Sequence, residues 1–453
     1  MFSARVLGFI LVTWSIGVQT ADSRQAAQSV TSPSNEIVAR LIEQLRAQDA
    51  RLKELETQVA ALKSAQPSSP PENAASISPE LSAARANPST PSAQSPAPPA
   101  QSEEETSPQG LPEHTMQLPG GGPVLKIRGF ADFNLGFGSD ANPLIFPLPT
   151  PVHNTFQIGE FDLFLSSRLS KQVSFLSEIV IGSDPTNSWG LDIERMQISY
   201  KPSRYFEISG GRYHTSIGYY NTTFHHGTWF QTATGRPFMY FFEDSGGILP
   251  VHSVGVTATG LVPRTETLGL HWLAEMGNGR SSMPNGQPVQ NFFADKNHKN
   301  FNLAVYVKPQ SIAGLQAGAS YYRDRLVPPG IPHVDQTVGS LYAVFINSDW
   351  EFLNEAVLLH NKVDGARKSF NSPLLYTQLS KKFHAYRPYF RYQYLNISAN
   401  DPVSIFTGRY QGPSFGLRMD FTNYAALKTQ YNRLYLRGAS PENGVDAQVA
   451  FTF

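Results

Sequence analysis

The chain of 453 residues contains no cysteine, which excludes disulfides, thiolate catalysis and a lipid anchor on cysteine. Neither sign of charge is in excess, since 36 lysines and arginines face 36 aspartates and glutamates. That balance provides no electrostatic footprint for nucleic acid, and no nucleic-acid partner is expected. Past the first twenty or so residues there is no run of about 18 apolar residues, so no helical membrane span is expected there. If such a chain crosses a membrane, it must do so as a closed barrel, the other structure that satisfies its backbone in lipid.

What is present divides the chain into four. Residues 1–21 read as a secretory signal peptide. Arg5 supplies the positive start, Val6 to Val18 is mostly apolar, and small residues near Thr20 and Ala21 suit cleavage. Residues 35–66 carry Val38, Leu41, Leu45, Gln48, Leu52, Leu55, Val59 and Leu62 at coiled-coil seam positions, which predicts a coiled-coil helix. Residues 67–123 hold 13 prolines and no Phe, Trp or Tyr, a Pro/Ser/Ala-rich linker that cannot bury a core. Residues 124–453 hold 50 of the chain's 53 aromatic residues, largely in alternating apolar and polar patterns that argue for strands.

Sixteen strands can be read in this last region. The final one shows the pattern plainly. Val445, Ala447, Val449, Phe451 and Phe453 share one face, and Asp446, Gln448, Ala450 and Thr452 share the other. Joins after even-numbered strands are short, for example Ser170–Lys171, Val262–Arg264 and Thr422–Asn423. Most joins after odd-numbered strands are longer, and His214–Pro250 is the longest. Short turns at one end and longer loops at the other are the pattern of outer-membrane barrels. The expected fold is all-β, a sixteen-stranded antiparallel transmembrane β-barrel with an N-terminal coiled-coil helix and a Pro-rich linker. Phe453 should end the closing strand and pair near Val124, with Asp446 and Gln448 facing the channel.

A barrel of about sixteen strands leaves an aqueous lumen. The long third loop, His214–Pro250, is too aromatic to extend into solvent and is expected to fold inward as a pore constriction. Its candidate residues are His225, His226, Trp229, Arg236, Glu243 and Asp244. Adjacent histidines on an extended chain point opposite ways, so His225–His226 is not taken as a metal site. No metal, cofactor or catalytic residue is expected. Lumen charges are expected from Lys126, Arg128, Asp132, Arg195, Arg391, Arg418 and Lys428, with Glu160, Asp162, Glu178 and Asp420 offsetting the bases. The barrel region holds 28 basic and 24 acidic side chains. This small excess implies a weak anion preference or none.

The segments RGFADFNLGFG (Arg128–Gly138), IGEFDLFLSSRLS (Ile158–Ser170), GLDIERMQISYKP (Gly190–Pro202) and GRYHTSIGYYN (Gly211–Asn221), with the terminal Phe453, resemble porins of the phosphate-selective O/P type. The resemblance covers roughly 124–453. It implies an outer-membrane porin of sixteen strands and a homotrimer in outer-membrane lipid. It also implies passive diffusion of small, often anionic solutes, with the N-terminal region in the periplasm. Phosphate channels of that type line the pore with an arginine ladder and a lysine cluster, and no such ladder aligns here residue by residue. The alternative is a structural anchor that tethers the envelope through the coiled coil, with peptidoglycan contact by the N-terminal region. An outer-membrane hydrolase ranks last, because no triad spacing stands out.

Overall fold

The structure, a computed structural model, describes Lys53, Thr57 and residues 114–117, 122–138, 154–183, 188–224, 227–241, 247–282, 288–290, 292–328, 330–398, 400–404, 408–438 and 440–453. The chain forms two units, Met1–Pro99 and Ala100–Phe453. In the first, Lys53 and Thr57 are helical, and Thr57 Oγ1 donates to the Lys53 carbonyl at 2.8 Å. The remainder of the expected helix 35–66, the signal segment 1–21 and most of the linker lie outside the described residues.

The second unit is a sixteen-stranded antiparallel barrel. Its strands are β1 (Val124–Gly138), β2 (Thr155–Arg168), β3 (Val173–Ser183), β4 (Trp189–Ser203), β5 (Phe206–His214), β6 (His252–Leu261), β7 (Leu270–Gly277) and β8 (Asn300–Val307). They continue as β9 (Leu315–Leu326), β10 (Val334–Ile346), β11 (Trp350–Val363), β12 (Ser369–Lys381), β13 (Tyr386–Ile397), β14 (Gly408–Asp420), β15 (Ala425–Leu436) and β16 (Glu442–Thr452). Each strand pairs with the next, and β16 pairs back onto β1 from Gly444 opposite Gly138 to Thr452 opposite Phe130. Among the described residues no helix is long and apolar enough to cross a membrane, a statement that does not bear on strands.

The closing strand behaves as its alternation requires. Val445, Phe451 and Phe453 are exposed on the outside, while Asp446, Gln448 and Thr452 are buried. The amide of Phe453 donates to the Gly129 carbonyl at 3.0 Å, and the Gly129 amide donates back to Phe453 at 2.8 Å. Below that point the edge of β1 would be bare. His114–Gln117 fills it as a short antiparallel strand, with His114 opposite Ile127 and Gln117 opposite Val124. The end of the Pro-rich segment nearest the barrel thus extends the sheet.

The longest joins follow odd-numbered strands, but the parity is looser than expected, because the joins 262–269 and 308–314 after β6 and β8 are longer than 364–368 after β11. One difference falls at the turn between β6 and β7. Strand β7 starts at Leu270 rather than near Thr265. Arg264 and Gly269 both adopt left-handed backbone, and the Gly269 amide bonds the Thr265 carbonyl at 2.6 Å, so residues 265–269 curl into a turn.

Simple alternation breaks at bulges. The β1–β2 register shifts between Ala131 and Phe133, so that Gly159 and Glu160 together oppose Asp132. Phe156 and Ile158 are exposed before the shift, whereas Asp162 is buried after it. A second shift, at Glu178/Ile179 between β3 and β4, leaves both Glu194 and Arg195 reaching the inner side. In β5, Ile208 is exposed, yet Arg212 and His214, of the same parity, are buried against Glu194 and Glu178. Gly211 lies between Ile208 and Arg212 at φ +135°, and a Cβ there would sit 1.9 Å from the Met196 carbonyl oxygen. Gly210 beside it has open space.

Gly211→Ala should therefore destabilise the barrel by about 1–3 kcal/mol, whereas Gly210→Ala should stay within roughly 1 kcal/mol of the parent. Denaturant unfolding in detergent measures both. Equal losses at the two positions would contradict the assigned strain.

Candidate functional site

The site begins with the chain between β5 and β6. Its described residues run inside the barrel through one helical turn, α1 (Tyr220–Thr223), and two 3-10 turns at Thr228–Phe230 and Phe238–Tyr240. An irregular segment leaves many backbone groups without ladder partners, and these must be paired when buried. The inner wall supplies the pairing in two ways.

On β7, β10 and β11 the wall offers acceptors to loop N–H and O–H groups. Glu355 of β11 accepts from the Tyr219 amide (2.6 Å), the Tyr220 amide (2.9 Å), the Tyr240 hydroxyl (2.6 Å) and the Tyr376 hydroxyl (2.7 Å). Ser340 Oγ accepts from the Gly218 amide at 3.1 Å. Glu275 accepts from the Ser216 amide at 3.0 Å and from Asn302 Nδ2 at 2.8 Å. Glu351 accepts from the Thr232 hydroxyl at 3.0 Å. Beside these carboxylates, Leu353, Val357 and Leu359 form an apolar bed with Tyr322 and Tyr376, on which Ile217, Tyr220, Met239 and Tyr240 pack. This apolar inner face departs from the expectation of a polar lumen. The signal was present in β11, whose Trp350–Val363 sequence is apolar on both faces around Glu351 and Glu355.

On β13, β14 and β15 the wall offers donors to loop carbonyls. Arg391 Nη1 donates to the Gly235 carbonyl at 2.6 Å. Arg418 Nη1 donates to the carbonyls of Trp229 (2.6 Å) and Gln231 (3.0 Å), with its guanidinium 4.7 Å from the centre of the Trp229 ring. Lys428 Nζ donates to the carbonyls of Thr228 and Ala233 and, at 2.8 Å, to Gln448 Oε1. Asp132 accepts from the Thr228 hydroxyl at 3.2 Å. Lys428 is fully buried and Arg391 is 2 % exposed. A buried cation is costly unless hydrogen-bonded, and here the loop's carbonyls meet that need while the cations meet the loop's.

The expected site residues therefore separate. Trp229 is brought into the wall, packed with Phe130 beneath Arg418. Arg236 stays partly exposed on the loop, with Nη1 donating to the Tyr240 carbonyl at 3.0 Å. Arg391, Arg418, Lys428 and Asp132 do reach the inner side, but they lie under the loop rather than bare in the lumen. Arg195 pairs with Glu178 at 2.6 Å and covers the Phe164 ring. Lys126 and Arg128 share the strand parity of Asp132 and are partly buried. His225, His226, Glu243 and Asp244 lie outside the described residues. Among the described residues one cluster has ligand atoms close enough for a metal ion, Glu194 with His214 and His252. Sequence separation hid it, because the two histidines become neighbours only when β5 and β6 pair across the loop.

A closed sixteen-stranded barrel with a long loop folded inside has the fold of the outer-membrane porins. Three of the solved structures that share it are as follows. The anion-selective porin from Comamonas acidovorans is 11% identical over 73% of this chain and 100% of that one, at a TM-score of 0.51. The outer membrane channel DcaP of Acinetobacter baumannii is 10% identical over 73% and 98%, at 0.52. Salmonella typhi OmpF, in complex with daunomycin, is 10% identical over 75% and 100%, at 0.51. The likeness is one of fold, and it does not single out the phosphate-selective type. No protein-family model matches the chain, and no curated protein matches it in sequence.

Glu355→Gln puts an amide N–H₂ where four donors converge, leaving at least one of them unpaired. It should weaken the loop's hold by about 1–3 kcal/mol. Limited proteolysis should then nick the loop faster while the strands stay intact, and an unchanged nicking rate would contradict the anchoring role.

Proposed function

We propose that this chain is an outer-membrane porin, a water-filled channel for passive diffusion of small solutes, narrowed by the loop between β5 and β6. The observation that carries the reading is the inward course of that loop, bonded to Glu355 on one stretch of wall and to Arg391, Arg418 and Lys428 on another. A loop held at many points keeps a fixed bore, as a sieve requires.

Selectivity follows from which charges remain available. Three of the strongest basic candidates donate to loop carbonyls, and Arg195 pairs with Glu178, so these cations offer few free donors to a passing solute. Their charge still acts at longer range, weakened by salt over a Debye length of about 8 Å under physiological conditions. Weak anion preference, or near indifference, is the selectivity proposed. Arg236, partly exposed, is the loop cation nearest to that task. The working form is a homotrimer in the outer membrane of a bacterium. Its N-terminal region lies in the periplasm, with 1–21 a cleaved signal, 35–66 a coiled coil joining three chains, and 67–123 a spacer. The channel needs no cofactor and performs no catalysis.

Planar-bilayer recording under a salt gradient tests this. The native protein should give stepwise conductance and a small reversal potential of the anion sign. Arg236→Ala should move that potential toward the cation sign. Folded protein that gives no conductance would overturn the channel, and an unchanged potential in the variant would remove Arg236 from the constriction.

A further inference from the structure

We propose that Glu194, His214 and His252 form a binding site for a divalent transition-metal ion of the zinc class at the root of the internal loop. Glu194 comes from the bulge in β4. His214 is the last residue of β5 and His252 the first of β6, and the two stand directly opposite in the ladder. The loop leaves from one histidine and returns to the other. The amide of Thr215 bonds the Val251 carbonyl at 3.0 Å, so the root is tied shut beside the site.

All three side chains are more than nine-tenths buried. One ligand atom from each lies within 4.8 Å of the others. The imidazole rings are 5.3 Å apart at 65°, and His252 Nε2 is in direct contact with Glu194 Oε2. Around them, Glu178 Oε2 is 3.7 Å from His214 Nε2 and is held by Arg195. Arg212 bonds Asp192 at 2.7 Å and lies 3.4 Å from Glu194 Oε2. The groups named, three carboxylates against two guanidiniums, carry one negative charge when both imidazoles are neutral, a balance that admits a dication.

The donor set selects the ion. Two imidazole nitrogens and one carboxylate oxygen suit zinc and its neighbours, with a fourth position left for water. Calcium seeks six to eight oxygens, which are not gathered here among the described residues. The backbone pairing of β5 with β6 fixes the two histidines before any ion arrives, so shifts of about an ångström complete the coordination. A bound ion would tie β4 to both ends of the loop and resist movement of the root. This binding site stands whether or not the channel reading holds.

The test uses the full-length protein without an affinity tag, stripped with chelator and titrated with zinc against a colorimetric indicator. One zinc per chain is expected, with a rise in the thermal unfolding midpoint that calcium and magnesium do not give. The double variant His214→Gln/His252→Gln should bind at least about tenfold more weakly and lose the rise, while His225→Gln/His226→Gln should keep both. In that second variant, which retains the native site, copper(II) should show a resonance spectrum with hyperfine coupling to two nitrogens. This readout does not depend on the folding of the first variant. Absence of zinc binding, its loss on altering His225 and His226, or a copper spectrum without two nitrogens would overturn the proposal.

Discussion

Every backbone polar group in a barrel wall must find a partner within the protein, most strictly under the proposed placement in lipid, and this constraint organises the barrel. Sixteen strands satisfy it only when the last meets the first. Here that meeting is the pairing of β16 with β1, completed by the reciprocal bonds between Phe453 and Gly129. The short strand His114–Gln117 continues the logic, because it covers the stretch of β1 that β16 does not reach. The outer surface can then be apolar without a second sheet to bury it, and the inner surface is free to carry charge.

Part of the inner charge holds the loop. A carboxylate at Glu355 gathers two amides and two tyrosine hydroxyls, while cations at Arg391, Arg418 and Lys428 gather carbonyls. The two stretches of wall differ in polarity because the loop offers mainly donors to one and mainly acceptors to the other, with Asp132 and Gln393 as exceptions on the second. Leaving any of these groups buried without its partner costs about 1–3 kcal/mol, more for the charged ones, so the arrangement is mutually dependent. The same economy shapes the proposed function. On that reading, cations that hold the loop have few donors left for solutes, and a charged lumen would give only weak selectivity.

The strands were legible in the sequence because a barrel wall has one period and two contrasting faces. The alternation of Val445 to Phe453 and the short joins located nearly every strand to within a few residues. Facing was harder to read, since the bulges at Gly159–Glu160 and at Glu194 reverse it without changing composition. Residues 265–269 were read as strand although left-handed Arg264 and Gly269 make them a turn. The inward turn of the loop could be expected from its aromatic content, and Arg391, Arg418 and Lys428 from their parity. Their partners could not be expected, because Lys428 meets Thr228 across 200 positions and Arg391 meets Gly235 across 156. His214 and His252 were likewise separated by the loop they flank.

The central claim is that the loop is packed inside the barrel and held there. The absence of native cysteine allows a direct measurement, the rate at which a membrane-impermeant thiol reagent modifies Ala233→Cys compared with Gly235→Cys. Ala233 is fully buried beside Lys428, whereas Gly235 is exposed two residues on. The account predicts modification at 233 about a hundredfold slower than at 235, since reaching it requires the loop to open locally at a cost of nearly 3 kcal/mol. Equal rates at the two positions would contradict it.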